Sequence, residues 1–267
     1  MTMLPSDPTA TPDAPKRDSA DIIDSLDRGL RVFSVFGAER KPMTLSEVAR
    51  AAGLTRATAR RILFTLEKNG FVVSDGRLFS LTPRVLTLAS SYLTSNQIVT
   101  VLQPVMDRVA SEAREVCSLA ILDGDEAVFI ARASPARVFS AGIDIGYRLP
   151  AFCTSVGRAL LSRLDDEELE ATIARLDPVA ETPFTITDKA KLVEIIKADR
   201  EQGYSLVDRE AEPGFRSLSV PVRRYDGATV AAVNIGTHVD RTTTAEMIER
   251  FLPLLINAAN TVQPLLL

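Results

Sequence analysis

The sequence predicts two domains: an N-terminal winged helix-turn-helix that is mostly α, and a C-terminal α+β domain with a mainly antiparallel sheet. Three observations predict them. Residues 45–66 read as helix, glycine turn and helix, and an Asp-Gly hairpin follows at once. From Cys117 onward the hydrophobic period changes to short strands separated by Asp-Gly turns and by helices. The charge divides with the pattern. Residues 21–85 carry 11 Lys and Arg against 7 Asp and Glu, net +4, and residues 86–267 carry 18 against 25, net −7. The 267-residue chain is net −4, so the whole-chain charge hides a basic module joined to an acidic one. That arrangement fits a DNA reader attached to a domain that does not touch DNA.

Residues 1–20 hold Pro5, Pro8, Pro12 and Pro15 among small polar residues and read as a disordered tail. Residues 21–82 form the winged module. A helix over 21–38 places Leu26, Leu30 and Phe33 on one face. In the next helix Leu45, Val48 and Ala49 recur at helical spacing. Gly53 supplies the left-handed residue that ends it, and Thr55 caps the helix after it. There Ala59, Ile62, Leu63 and Leu66 make one apolar stripe, which leaves Arg56, Thr58, Arg60, Arg61 and Thr65 on the polar side. An arginine-bearing face at the start of such a helix is what entry into a DNA major groove requires. Gly70 ends the helix, and strands over 71–73 and 78–81 flank the turn Ser74-Asp75-Gly76-Arg77. Arg77, at the wing tip, is placed to meet a phosphate or the minor groove. The candidate DNA-binding residues are therefore Thr55, Arg56, Thr58, Arg60, Arg61 and Arg77. The competing reading, an αα-hairpin with solvated arginines, does not account for helix, turn, helix and wing in this order. A charge of +4 is modest, so two or more copies are expected to act together.

Residues 83–96 read as a linker helix and residues 97–267 as the second domain. A helix over 98–114 aligns Val101, Val105 and Val109; its apolar face, like the linker's, suits either dimerisation or packing within its own domain. Strands are expected over 118–122, 127–131 and 138–143. Helices are expected over 153–164, 165–176 and 187–202, then strands over 204–207, 217–222 and 229–235, and a closing helix over 242–262.

No catalytic constellation stands out. The one histidine, His238, has only Asp240 as a local acid and reads as a surface residue. Asp165-Asp166-Glu167-Glu168 reads as the acidic first turn of a helix, favoured by the helix dipole. Cys153, before a helix, reads as a packed thiol in preference to an activated thiolate. Gly142 and Gly146 lack the spacing of a dinucleotide loop, and no phosphate-binding loop is present. No cofactor and no metal are predicted. A binding pocket is the better expectation. Thr154, Ser155, Val156 and Gly157 open a helix, whose hydroxyls and N–H groups can hold a carboxylate. Ser217, Ser219 and Asn234 are polar residues on apolar strands and need partners if buried; hydrogen bonding within the sheet weighs evenly with ligand contact. Asn234 and Gly236 face one way, Val233 and Ile235 the other. A carboxylate ligand wants a cation, for which Arg132, Arg148 and Arg216 are candidates. Cys117 and Cys153 show no metal-ligand spacing and suit a reducing compartment. No apolar run has the length of a membrane span, and the N-terminus lacks the pattern of a secretory signal. The expected location is the cytoplasm.

Five segments together resemble the IclR-type transcriptional regulators. They are Ser25-Leu26-Asp27-Arg28-Gly29-Leu30, residues 57–63 (ATARRIL), residues 149–161 (LPAFCTSVGRALL), residues 203–210 (GYSLVDRE) and residues 214–222 (GFRSLSVPV). The resemblance runs from about Asp24 to the C-terminus. It implies that the second domain is a GAF-like effector domain and that the protein acts as a homodimer or dimer of dimers. It also implies effector-binding roles for Ser155, Val156, Gly157, Ser217, Asn234 and Gly236. Where some members carry an acid on the strand before the long loop, this chain has Val207, with Asp208 next to it. The wording around Cys153 and Gly203 is most similar to regulators of aromatic-acid breakdown, which respond to protocatechuate, p-hydroxybenzoate or β-ketoadipate. The expectation is a regulator that binds a double-stranded DNA operator under control of a small organic acid. The alternative is an enzyme with an appended DNA-binding domain.

Overall fold

The computed structural model describes residues 22–39, 41–135 and 144–266. The tail over 1–20 and the strand expected over 138–143 lie outside the described residues. The chain divides into two compact units, residues 1–91 and 92–267.

In the first unit, α1 (Asp24–Glu39) is followed by β1 (Met43–Thr44), α2 (Leu45–Ala51) and α3 (Arg56–Lys68). The hairpin β2 (Val72–Ser74) and β3 (Leu78–Leu81) completes the wing. β1 was not among the expected strands: two residues are too short to show a period. It pairs antiparallel with β3, Met43 opposite Phe79, and makes a three-stranded sheet in the order β1-β3-β2. Thr44 then caps α2 in a reciprocal box with Glu47, whose carboxylate accepts the Thr44 N–H at 2.8 Å. Gly53 takes φ 64° between the two helices. Thr55 caps α3 by accepting the Thr58 N–H at 3.2 Å. The helix stops at Lys68 with Asn69 as its cap, and Gly70 follows at φ 75°. Val32, Phe36, Met43, Val48, Leu63, Val72 and Phe79 form the core. Leu63 has no exposed surface, so truncating it to Ala costs about 2–5 kcal/mol.

α4 (Val85–Ser95) spans the division between the units, and α5 (Gln97–Ala113) opens the second. Its strands are β4 (Val116–Asp123), β5 (Glu126–Ala133), β6 (Arg148–Pro150), β7 (Ser205–Asp208), β8 (Phe215–Arg223) and β9 (Thr229–His238). They form one antiparallel sheet in the order β6-β5-β4-β9-β8-β7. Alternation along each strand sorts its residues between two faces, and a register shift between Leu119 and Ala120 puts Ala131 and Phe129 of β5 on opposite ones. One face presents Cys117, Leu119, Ala131, Leu218, Val220, Val233 and Ile235 to apolar residues of α5 and of α10 (Leu252–Val262), the main core. The other face carries Ala120, Phe129 and Ala232, which pack on Val156, Ala159 and Leu160 of α6 (Ser155–Leu161). Two further helices, α7 (Asp166–Arg175) and α8 (Lys189–Gln202), pack around α6. α7 is capped by Asp165, and its acid run is that helix's first turn.

Two helices differ from expectation. The helix expected over 153–164 is a 3-10 turn (Ala151–Cys153), an extended Thr154 at ψ 147°, and then α6. The closing helix is broken into α9 (Thr244–Glu246), a π turn (Met247–Phe251) and α10. Pro253 sits in the first turn of α10 and lacks an N–H to give, so the regular ladder cannot run through this point.

Candidate functional site

In the first unit the exposed side of α3 has two flanks. Arg56 and Arg60 line one of them with Arg77 of the wing, around a groove of about 770 Å³ that also includes Thr44, Ser46 and Phe64. The Arg60 guanidinium stands 5.0 Å from the centre of the Phe64 ring. The wing turn is set by Asp75, whose carboxylate accepts the N–H groups of Arg77 at 2.8 Å and Leu78 at 2.7 Å. Those two bonds hold its carboxyl below the usual range. Thr58 and Arg61 lie on the opposite flank, beside Leu26, Leu30 and Leu66 in a hollow against α1. The Thr55 and Thr58 hydroxyls bond each other at 2.9 Å, so both serve the cap as well as the surface. The structure therefore brings Arg56, Arg60 and Arg77 together and sets Arg61 apart from them.

α1 and α4 expose large apolar side chains: Leu26 and Leu30 on the first, Leu86, Leu88 and Tyr92 on the second. No residue of α4 is buried.

In the second unit the face of the sheet that meets α6 also floors a cavity of about 560 Å³. Strand register explains why. Ser205, Ser219, Asn234, Ser118 and Arg132 are successive cross-strand partners, one polar row over five strands. The adjacent row is Val207, Ser217, Gly236 and Val116. Ser118, Asn234 and Arg132 from the first row line the cavity, as does every member of the second. Phe129, Tyr147, Leu149 and Val156 supply apolar wall. Ser155, fully buried at the start of α6, donates its hydroxyl to Ser217 at 2.8 Å. Asn234 is buried, and its amide oxygen has no hydrogen-bond partner among the described residues.

Five of the six residues expected at an effector site thus line one cavity: Ser155, Val156, Ser217, Asn234 and Gly236. Gly157 does not. Its N–H is taken by Thr154 at 3.2 Å, and a Cβ at this position would run into the backbone of Ala151. Its role is close packing of α6 on the preceding turn. Arg132 and Arg216 line the cavity, but Arg148 is held outside it by Asp123 and Glu126, each at 2.7 Å. Each lining arginine has a carboxylate partner: Arg132 with Asp144 at 3.2 Å, Arg216 with Asp208 at 2.9 Å, Arg241 with Glu115 at 3.1 Å. Burial pushes the Glu115 carboxyl up against the pull of Arg241. His238 lies at the cavity half exposed, 3.3 Å from Asp240 and edge-on to Phe215.

Ser118, Glu115, Phe129 and Tyr147 were not among the expected site residues. Ser118 had a signal, a lone hydroxyl between Cys117 and Leu119 on an apolar strand; the aromatic walls had none, since a strand phenylalanine reads as core. Cys153 is fully buried, and burial pushes its thiol up to about 12, which leaves no thiolate at neutral pH. Among the described residues no three His, Cys, Asp or Glu side chains are placed to hold a metal, and no helix is long and apolar enough to cross a membrane.

Residues 25–76 match the IclR helix-turn-helix domain, and residues 90–263 match the bacterial transcriptional regulator IclR C-terminal domain. The Pca regulon regulatory protein of Pseudomonas putida is 41% identical over 240 residues, which is 90% of this chain and 82% of that protein. The structure of a putative transcriptional regulator from Rhodococcus sp. RHA1 superposes with a TM-score of 0.79 at 42% identity, over 91% of this chain and 97% of that one. An IclR homolog from Microbacterium hydrocarbonoxydans, solved with 4-hydroxybenzoate, superposes with a TM-score of 0.75 at 26% identity, over 90% and 97%. The family these two domains define is one of transcriptional regulators, not of enzymes. A DNA-binding helix-turn-helix followed by an effector domain, matched over nearly the whole described chain, makes this protein a member of the IclR family of transcriptional regulators.

Proposed function

We propose that this regulator binds a palindromic double-stranded DNA operator as a homodimer or dimer of dimers in the cytoplasm, and that a small aromatic acid in the 560 Å³ cavity controls that binding. In this reading residues 21–82 are the DNA-binding module, 83–96 the linker helix and 97–267 the effector domain. Thr55, Arg56, Thr58, Arg60 and Arg61 meet the major groove and Arg77 the flanking backbone or minor groove. A module of net +4 has few cations for tight binding alone, which supports paired copies. The exposed apolar faces of α1 and α4 offer surface for pairing.

One observation carries the ligand reading: the make-up of the cavity. Its walls are apolar and partly aromatic, and Ser155, Ser217, Asn234, Arg132 and Arg216 set polar points around them. Its volume lies within the range of about 300–1,000 Å³ usual for small-molecule sites. The relative solved with 4-hydroxybenzoate supports an aromatic acid. The test is a thermal-shift series with 4-hydroxybenzoate, protocatechuate, benzoate and β-ketoadipate. A ligand at a hundred times its dissociation constant adds about 2.7 kcal/mol. A hydroxybenzoate is expected to raise the melting temperature. A rise with β-ketoadipate alone would replace the aromatic reading, and no rise with any of the four would remove it.

A further inference from the structure

We propose that Arg158 and Glu210 are positioning residues for the effector cavity: their buried ion pair fixes the spacing between two of its walls. The proposal rests on the cavity being the effector site. Arg158 is 2% exposed and Glu210 6%, and their charged atoms meet at 2.6 Å. Arg158 lies on α6, two and three residues after Val156 and Ser155, which line the cavity. Glu210 lies in the connection from β7 to β8, immediately before Ala211 and Glu212, which line it as well. One guanidinium thus spans two chain segments distant in sequence.

Each end is anchored again. The Arg158 Nε donates to the carbonyl of Phe152 at 2.7 Å, on the turn that leads into α6. The Glu210 carboxylate accepts the N–H of Ile186 at 3.0 Å. The connection is held from the same side by Thr182, whose hydroxyl donates to the Arg209 carbonyl at 2.7 Å, and by Thr185, which donates to the Glu210 carbonyl at 2.6 Å. Arg209 stacks 4.0 Å over the Phe184 ring. A buried ion pair is a poor route to stability, because apolar residues of equal volume often do as well or better. What apolar residues do not supply is a fixed direction: the planar guanidinium sets the angle as well as the distance between Phe152, Glu210 and the start of α6.

The experiment uses the full chain and the double variant Arg158→Met/Glu210→Leu, which removes both charges and keeps the volume. Three quantities are measured: melting temperature, amide hydrogen exchange without ligand, and the 4-hydroxybenzoate concentration that half-changes operator binding. The expected result is a modestly lowered melting temperature, because the Phe152 carbonyl and the Ile186 N–H lose their partners, exchange at least tenfold faster in segments 151–157 and 208–215 but not in β4 and β9, and a midpoint raised at least tenfold. Arg158→Lys, which keeps the charge without the fork, is expected to fall between. A double variant that matches the parent in local exchange and midpoint overturns the proposal, as does faster exchange spread evenly over the sheet. Should the double variant fail to fold, Arg158→Lys is read by the same outcomes. A parent that ignores 4-hydroxybenzoate counts against the ligand reading above, and the exchange arm then decides this proposal by itself.

Discussion

Ser155 and Ser217 share a hydrogen bond of 2.8 Å, which joins the first residue of α6 to strand β8 at the floor of the cavity. The two lie 62 positions apart in the chain. The bond occupies polar groups that the proposed ligand would otherwise address, so such a ligand would have to join or replace it.

Ser217→Ala is therefore expected to raise the effector concentration needed for a response about tenfold, the loss of a bond to a charged ligand being worth about 1.5–3 kcal/mol. Operator affinity without ligand is expected to stay within twofold. Operator-binding titrations at stepped effector concentration check both, with circular dichroism to confirm folding.

On the DNA side, Arg61→Ala is expected to weaken specific operator binding by about 1–3 kcal/mol and to relax base preference. Arg77→Ala at the wing is expected to lower affinity evenly across sequences. Fluorescence anisotropy on the operator and on scrambled duplexes separates the two. An Arg61 variant that binds like the parent would place the Arg56 and Arg60 flank of α3 in the groove instead.

Leu26→Glu with Leu30→Glu puts two charges on the exposed apolar face of α1 without touching the core, since both residues are more than half exposed. Sedimentation is expected to show a shift towards monomer and a large loss of operator affinity. A variant that sediments as the parent does would move the pairing surface elsewhere.

Gly157→Ala pushes a methyl into the Ala151 backbone. Backbone yields little, so the cost is expected to be on the order of 2–3 kcal/mol, read as a lowered melting temperature together with weaker effector binding. Gly29→Ala, where a Cβ meets nothing within 4 Å, is the matched control and is expected to leave stability unchanged or slightly raised.

Asp199 gives a pH dependence. Burial raises its carboxyl from 3.8 to about 6, even though Ser205 and Gln202 both donate to it. The folded state then holds the proton more tightly than the unfolded state, so this group's contribution to stability falls as pH rises from 3.8 to about 6 and is level above that. Asp199→Asn is expected to melt higher than the parent at pH 7, by on the order of 2 kcal/mol. The gap should close as pH falls through that window. A gap that does not change with pH would mean the carboxyl is not the cause.

Much of this was legible in the sequence because the signals were local. Gly53, Thr55 and the Asp75-Gly76 turn each fix a backbone conformation within a few residues, and the winged module follows from them. Ser155, Ser217 and Asn234 were legible for a similar reason, each being polar where its strand or helix start is otherwise apolar; Val156 and Gly236 were implied only by the resemblance to the family. What was not legible depends on distant contacts. Gly157 reads as a helix-start glycine until Ala151 is found against it. Arg148 reads like Arg132 until Asp123 and Glu126 are seen to hold it away. The π turn before α10 depends on where Pro253 falls in a helix whose period alone looked continuous.

The three arginines at the cavity already hold Asp144, Asp208 and Glu115, and Glu212 adds a further carboxylate to the wall, so the pocket has no surplus of positive charge. A ligand carboxylate of the kind proposed would act as a substitute counterion, and the carboxylate it displaced would have to turn outward or take up a proton. Glu115 is the one whose carboxyl burial already pushes up, and an anion beside it pushes further in the same direction. At Arg241, then, occupancy by the proposed acid would favour protonation of Glu115, and the second unit would gain an anion there with less than a full added charge.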